Sequence, residues 1–152
     1  MQLRKGSIPL FLLLTFSLLA TVRSVVADTA TYPIQPLQQQ TITLTLNNGD
    51  SVTGTIVVNG QGMIDFWISD PQGMNVTNYS NAGQTSFSIN AQTSGTFTFH
   101  MFNPSADSSI SVTINYNPNF TILGMPQELF LLLVIVGVAL LLVVVWALSS
   151  KV

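Results

Sequence analysis

The stretch TITLTLNNGDSVTGTIVV, Thr41 to Val58, decides the fold class. Its opening alternates Ile42, Leu44 and Leu46 with threonine, the period of two that puts apolar side chains on one face of a strand. Asn47-Asn48-Gly49-Asp50 follows, a cluster that tolerates positive φ and predicts a hairpin turn. Alternation then resumes at Ser51, with Val52, Ile56 and Val58 expected inward.

The same pattern runs on to Tyr116, broken by turn residues every eight to twelve positions. Met63 to Asp70 puts Ile64, Phe66 and Ile68 on one face and Asp65 and Trp67 on the other, and Asp70-Pro71-Gln72-Gly73 reads as a turn with proline where its fixed φ helps. Met74 to Tyr79 alternates poorly and is expected at an edge or a bulge. Thr85 to Ala91 contributes Phe87 and Ile89, Thr96 to Asn103 contributes Phe97, Phe99 and Met101, and Ile110 to Tyr116 contributes Ile110, Val112 and Ile114. The expectation is an all-β, antiparallel sandwich of about seven to eight strands over residues 41–116. Residues 28–40, with Pro33 and Pro36, read as an extended lead-in, and residues 117–128, with Pro118, Gly124 and Pro126, as a juxtamembrane linker.

Beyond the linker, residues 129–148 (LFLLLVIVGVALLLVVVWAL) are apolar all round, without charge, proline or amide. At about 1.5 Å rise per residue they would form a helix of roughly 30 Å, the thickness of bilayer hydrocarbon, and are expected to cross a membrane. Residues 1–27 carry the parts of a secretory signal peptide: Arg4 and Lys5, an apolar run from Ile8 to Ala20, and Ser24-Val25-Val26-Ala27 before a cut. These segments predict a single-pass type I protein with its sandwich extracellular or luminal and a cytoplasmic tail of residues 149–152 bearing Lys151.

Charge narrows the function further. Charged residues make up 7% of the chain, and no Lys or Arg occurs between Ser24 and Ser150. Nucleic-acid binding needs bases to neutralise phosphates, so that class is excluded. The chain has no cysteine, hence no disulfide, thiol chemistry or thiolate metal site. His100 is the sole histidine, expected outward opposite Phe99 and Met101, and nothing resembles a G-x-S-x-G nucleophile elbow; no catalytic residue and no cofactor is expected. Calcium would have to draw on Asp50, Asp65, Asp70 and Asp107, none spaced as an EF-hand loop, so no metal site is assigned.

Outward Trp67 beside Asp65, together with Tyr79, is the candidate partner contact, because an indole can stack on a sugar or anchor a protein. Asn75-Val76-Thr77, Asn78-Tyr79-Ser80 and Asn119-Phe120-Thr121 are glycosylation sequons, whereas Asn103-Pro104-Ser105 is barred by its proline.

Two stretches carry a resemblance. Ile64-Asp65-Phe66-Trp67-Ile68-Ser69-Asp70-Pro71-Gln72-Gly73 is similar to the strand ending in Asp-Pro-x-Gly of the GOLD (Golgi-dynamics) domain. Gly95-Thr96-Phe97-Thr98-Phe99-His100-Met101-Phe102-Asn103 resembles that family's glycine-led aromatic strand. The likeness implies a GOLD or jelly-roll-like sandwich, as in the single-pass cargo receptors of the early secretory pathway. The expected function is a non-enzymatic membrane protein, anchored in lipid by one helix, that presents its sandwich outside the membrane to a protein or glycan partner. The alternative expectation is a structural or accessory subunit that anchors a cell-envelope or membrane complex.

Overall fold

A computed structural model describes residues 27–149. The expected signal peptide and tail lie outside the described residues, apart from Ala27 and Ser149 at their boundaries. Eight strands form two antiparallel four-stranded sheets. One sheet has the order β1 (Asp28–Ile34), β8 (Ile110–Asn119), β3 (Ser51–Asn59), β6 (Gln84–Asn90); the other has the order β2 (Gln39–Leu46), β7 (Gly95–Phe102), β4 (Ile64–Ser69), β5 (Asn75–Ala82). This alternation of strands between sheets is a jelly roll. A short hairpin, β9 (Thr121–Ile122) and β10 (Met125–Pro126), then leads into helix α1 (Gln127–Ser149).

Three expectations change. Asn47-Asn48-Gly49-Asp50 makes a tight turn, with the Asp50 N–H donating to the Asn47 carbonyl at 3.0 Å, but it is not a hairpin: β2 and β3 lie in different sheets and the turn arches between them. Local sequence set the turn, while the partners of each strand came from far along the chain. The lead-in is also part of the sandwich. β1 pairs with β8 over seven residues, and Pro33 is tolerated because β1 is an edge strand. The linker, finally, is structured: β8 runs on to Asn119 with Pro118 buried, and the β9–β10 hairpin fills most of the rest.

The core lies between the sheets and is built from the expected period-two residues. Val52, Ile56, Ile64, Phe66, Ile68, Phe97, Phe99, Met101, Val112 and Ile114 are all buried. Phe66, Phe87 and Phe99 meet ring to ring at 5.3–6.4 Å, a tilted cluster that suits the charge distribution of aromatic faces and edges. Gly54 leaves the room for the Phe87 ring: a Cβ there would collide with that ring and with the Asn115 carbonyl.

Each end of the sandwich is closed by one fully buried polar side chain. Asn103 donates from Nδ2 to the carbonyls of Ile34, Gln35 and Ser108 and accepts from the Ser105 N–H, tying β1, β7 and the β7–β8 loop together. At the opposite end, Asp50 accepts from the N–H of Asn47 at 2.8 Å and from both the N–H and hydroxyl of Thr121 at 2.7 and 3.1 Å. Asp50 therefore fixes the start of the β9–β10 hairpin to the body of the sandwich.

Helix α1 follows directly on Pro126, whose missing N–H costs nothing before a helix, and Glu128 sits in the first turn where the helix dipole favours a negative charge. Its span Gln127–Val145 is long and apolar enough to cross a membrane and is not covered by the other described residues.

Candidate functional site

The outer face of the β2-β7-β4-β5 sheet is where the sequence placed its contact residues. Because Ile64, Phe66 and Ile68 point into the core, Asp65, Trp67 and Ser69 must point out; the same logic on β7 turns Thr98, His100 and Phe102 outward. Register then assembles rows across the strands. One row is Thr41, His100, Trp67 and Asn78; a neighbouring row is Gln39, Phe102 and Asp65.

Trp67 and His100 are stacked with their ring centroids 4.7 Å apart and planes 4° from parallel. That separation equals the spacing of adjacent strands, so the two rings stand side by side with their edges outward. One face of the indole is covered by the imidazole.

A line of hydrogen bonds crosses the same face from edge to edge. Gln39 Nε2 lies 2.9 Å from His100 Nδ1, His100 Nε2 lies 3.1 Å from Ser69 Oγ, and the Ser69 hydroxyl donates to Asn75 Oδ1 at 3.3 Å. With the Gln39 amide donating, Nδ1 accepts and the imidazole proton sits on Nε2, directed at Ser69. The serine proton then points away from the histidine. A Ser–His pair oriented in this way positions a hydroxyl but does not activate it as a nucleophile. Burial pulls the His100 pKa below its ordinary value of 6.5, which favours this neutral form.

Asp65 shares the face, yet its Oδ1 accepts from the Asn81 N–H at 2.9 Å. It supports the irregularity where β5 shifts register against β4 and where Asn81 takes a positive φ. Tyr79 does not join the cluster. It is paired with Phe66 and stacked on that ring at 6.1 Å, on the core side of the sheet, because the register shift in β5 reverses the facing that strict alternation predicts. Phe102 is the residue that sequence reasoning missed; its signal was the same period of two that turns His100 outward.

The three sequon asparagines are exposed. Asn75 and Asn78 lie on edge strand β5, with Asn78 directly across from Trp67, and Asn119 ends β8. Thr121, the acceptor-defining residue of the third sequon, is held by Asp50. Asp70 is likewise engaged, accepting from the N–H groups of Gln72 and Met74 in its own turn. A separate cleft of about 290 Å³ opens where the first sheet meets the hairpin and helix, lined by Thr53, Asn117, Asn119, Gln127 and Glu128 among others.

Among the described residues the chain is thus an eight-stranded jelly-roll sandwich, with an aromatic group on one outer face, followed by one apolar helix. The profile of the emp24/gp25L/p24 family/GOLD matches residues 29–121, and the chain belongs to that family. No curated protein matches it by sequence.

The chain is similar, at low identity, to several solved structures. The periplasmic inhibitor of g-type lysozyme PliG from Aeromonas hydrophila is 11% identical, with 64% of this chain and 90% of that chain covered at a TM-score of 0.48. The pre-peptidase C-terminal domain of collagenase from Bacillus anthracis is 9% identical, covering 60% and 89% at 0.49. The Yersinia pseudotuberculosis-derived mitogen is 11% identical, covering 62% and 86% at 0.46.

Proposed function

We propose that the chain is a single-pass membrane protein whose GOLD sandwich binds a protein partner through the outer face of the β2-β7-β4-β5 sheet. The observation that carries this reading is the Trp67–His100 stack beside Phe102, a half-buried aromatic group set in an otherwise Thr-rich surface. Aromatic anchors surrounded by polar neighbours are the usual centres of binding energy at protein interfaces. A protein is favoured over a glycan because a sugar stacks on an open ring face, and here one face of Trp67 is occupied by His100.

On this reading residues 1–27 are a cleaved signal, α1 spans the membrane, and the sandwich stands on the extracytoplasmic side. Neutral, charge-poor surroundings suit a partner recognised by shape and hydrogen bonds, with little dependence on salt. The test is purification of the full chain in mild detergent. Wild-type protein should carry a partner at fixed stoichiometry, Trp67→Ala should lose it, and Asn115→Ala on the opposite face should keep it. Equal retention by both variants would refute the assignment.

A further inference from the structure

The β9–β10 hairpin ends in Leu123-Gly124, and Leu123 is the most exposed large apolar residue among those described, at 85%. It also holds a φ of 53°, a left-handed conformation that disfavours a residue with a bulky side chain. Both features are unfavourable in water, and both sit at a turn that Asn or a second Gly would satisfy.

Three placements say what covers this leucine. First, the base of the hairpin is locked to the sandwich: Thr121 is bound by Asp50, Phe120 and Gln127 are buried, and the Gln127 N–H donates to the Phe120 carbonyl at 3.0 Å. The tip therefore projects from that end at a fixed angle. Second, α1 leaves from the same base, because Gln127 follows directly on β10. Gln127 is four positions beyond Leu123, so the tip stands within about 14 Å of the point where the apolar helix begins. Third, Ile122 and Met125 flank the tip and are themselves only half-buried, and Gly124 has no neighbour that an added Cβ would meet within 4 Å. An apolar tip, uncovered by the other described residues, beside the entrance of a membrane-length helix fits one occupant.

We propose that the β9–β10 hairpin enters the interfacial layer of the lipid bilayer, with Leu123 buried among headgroups and upper acyl chains. This rests on the reading of α1 as membrane-spanning. The hairpin then makes a second point of attachment, and the Asp50 clamp passes the orientation it sets to the whole sandwich. The domain is docked on the membrane and holds its outer faces at a fixed attitude to the bilayer. Interfacial binding of this kind scales with buried apolar area and needs no basic residue.

The chain has no cysteine, so single labels can be placed cleanly. Full-length protein carrying Leu123→Cys, Leu37→Cys or Leu133→Cys is labelled with an environment-sensitive fluorophore and reconstituted in phosphatidylcholine vesicles containing doxyl-labelled lipid. Leu37 is the matched control, a second exposed leucine at positive φ, placed at the opposite end of the sandwich; Leu133 reports the helix. The expected result is strong quenching at 133, clear quenching with a blue-shifted emission at 123, and neither at 37. Quenching at 133 with position 123 behaving like 37 would overturn the hairpin proposal and leave the spanning helix standing. Absence of quenching at 133 would overturn both.

Discussion

The two outer faces of the sandwich are made from the same kind of strand and differ in what those strands present. On the β1-β8-β3-β6 sheet the outward positions are Thr29, Thr31 and Pro33; Ser111, Thr113, Asn115 and Asn117; Thr53, Thr55, Val57 and Asn59; and Ser86, Ser88 and Asn90. They bond to one another, as in the Thr31–Thr113 hydroxyl pair at 2.9 Å and the Asn59 amide on Thr113 at 2.9 Å. Such a face satisfies its own polar groups and remains hydrated. The β2-β7-β4-β5 face keeps the threonines of β2 but adds Trp67, His100, Phe102 and Asp65. Hydration alone explains the first face; the second carries half-buried aromatic surface that hydration does not explain, and that is what recognition of a partner requires.

Removing the frame common to both faces should have the largest effect. Asn103→Ala removes a fully buried side chain that holds the carbonyls of Ile34, Gln35 and Ser108 and the Ser105 N–H, and is expected to cost about 3 kcal/mol. Denaturant unfolding of the lipid-reconstituted chain should show both faces lost in one transition; separate transitions would mean that the sheets do not share a frame.

Next in size, Trp67→Ala should weaken partner binding by about 2 kcal/mol, on the order of 30-fold, with folding little changed, whereas Thr113→Ala should leave binding as it is. Titration of the purified partner against each variant reads this contrast directly.

Smaller effects separate the faces by pH. On the second face, His100 has its pKa lowered by burial, so the unfolded chain takes up the proton first. Its contribution to stability is complete above about pH 6.5 and declines as pH falls from there towards the lower folded-state value. Fluorescence of Trp67, read against a Trp67→Phe chain to remove Trp146, should fall over the same acid range as the stacked imidazole becomes charged.

The smallest effect belongs to the first sheet. Burial raises the Tyr116 pKa above 10, helped by the Asp28 carboxylate that accepts its hydroxyl at 3.1 Å. The unfolded chain ionises first, so stability holds below about pH 10 and is lost as pH rises through the folded-state value. An Asp28→Asn variant should move that alkaline loss to lower pH in a spectrophotometric titration of tyrosine.

Alternation made the core and the outward facing of Trp67 and His100 legible, because burial on one side of a strand obeys a strict period of two. Sheet order was not legible. Asn47 to Asp50 has the composition of a hairpin turn and makes a turn, yet the decision to pair β2 with β7 and β3 with β8 rests on contacts about fifty to seventy residues away. For the same reason the stacking of His100 on Trp67 needed the adjacency of β4 and β7. Tyr79 turns to the core side, away from Trp67, because a bulge shifts the period locally. The β9–β10 hairpin, with strands of two residues, is too short to show any period, and Pro33 disguised β1 as a lead-in.

Binding through one outer face and not the other is tested most directly by cross-linking from each. A photo-reactive phenylalanine analogue replacing Thr41, at the end of the His100–Trp67 row, is compared with the same analogue replacing Asn115 on the opposite face, each in the full chain in its native membrane. A discrete cross-linked species is expected from position 41, absent from position 115 and lost when Trp67→Ala is added. The same species from both positions, or from position 115 alone, would contradict it.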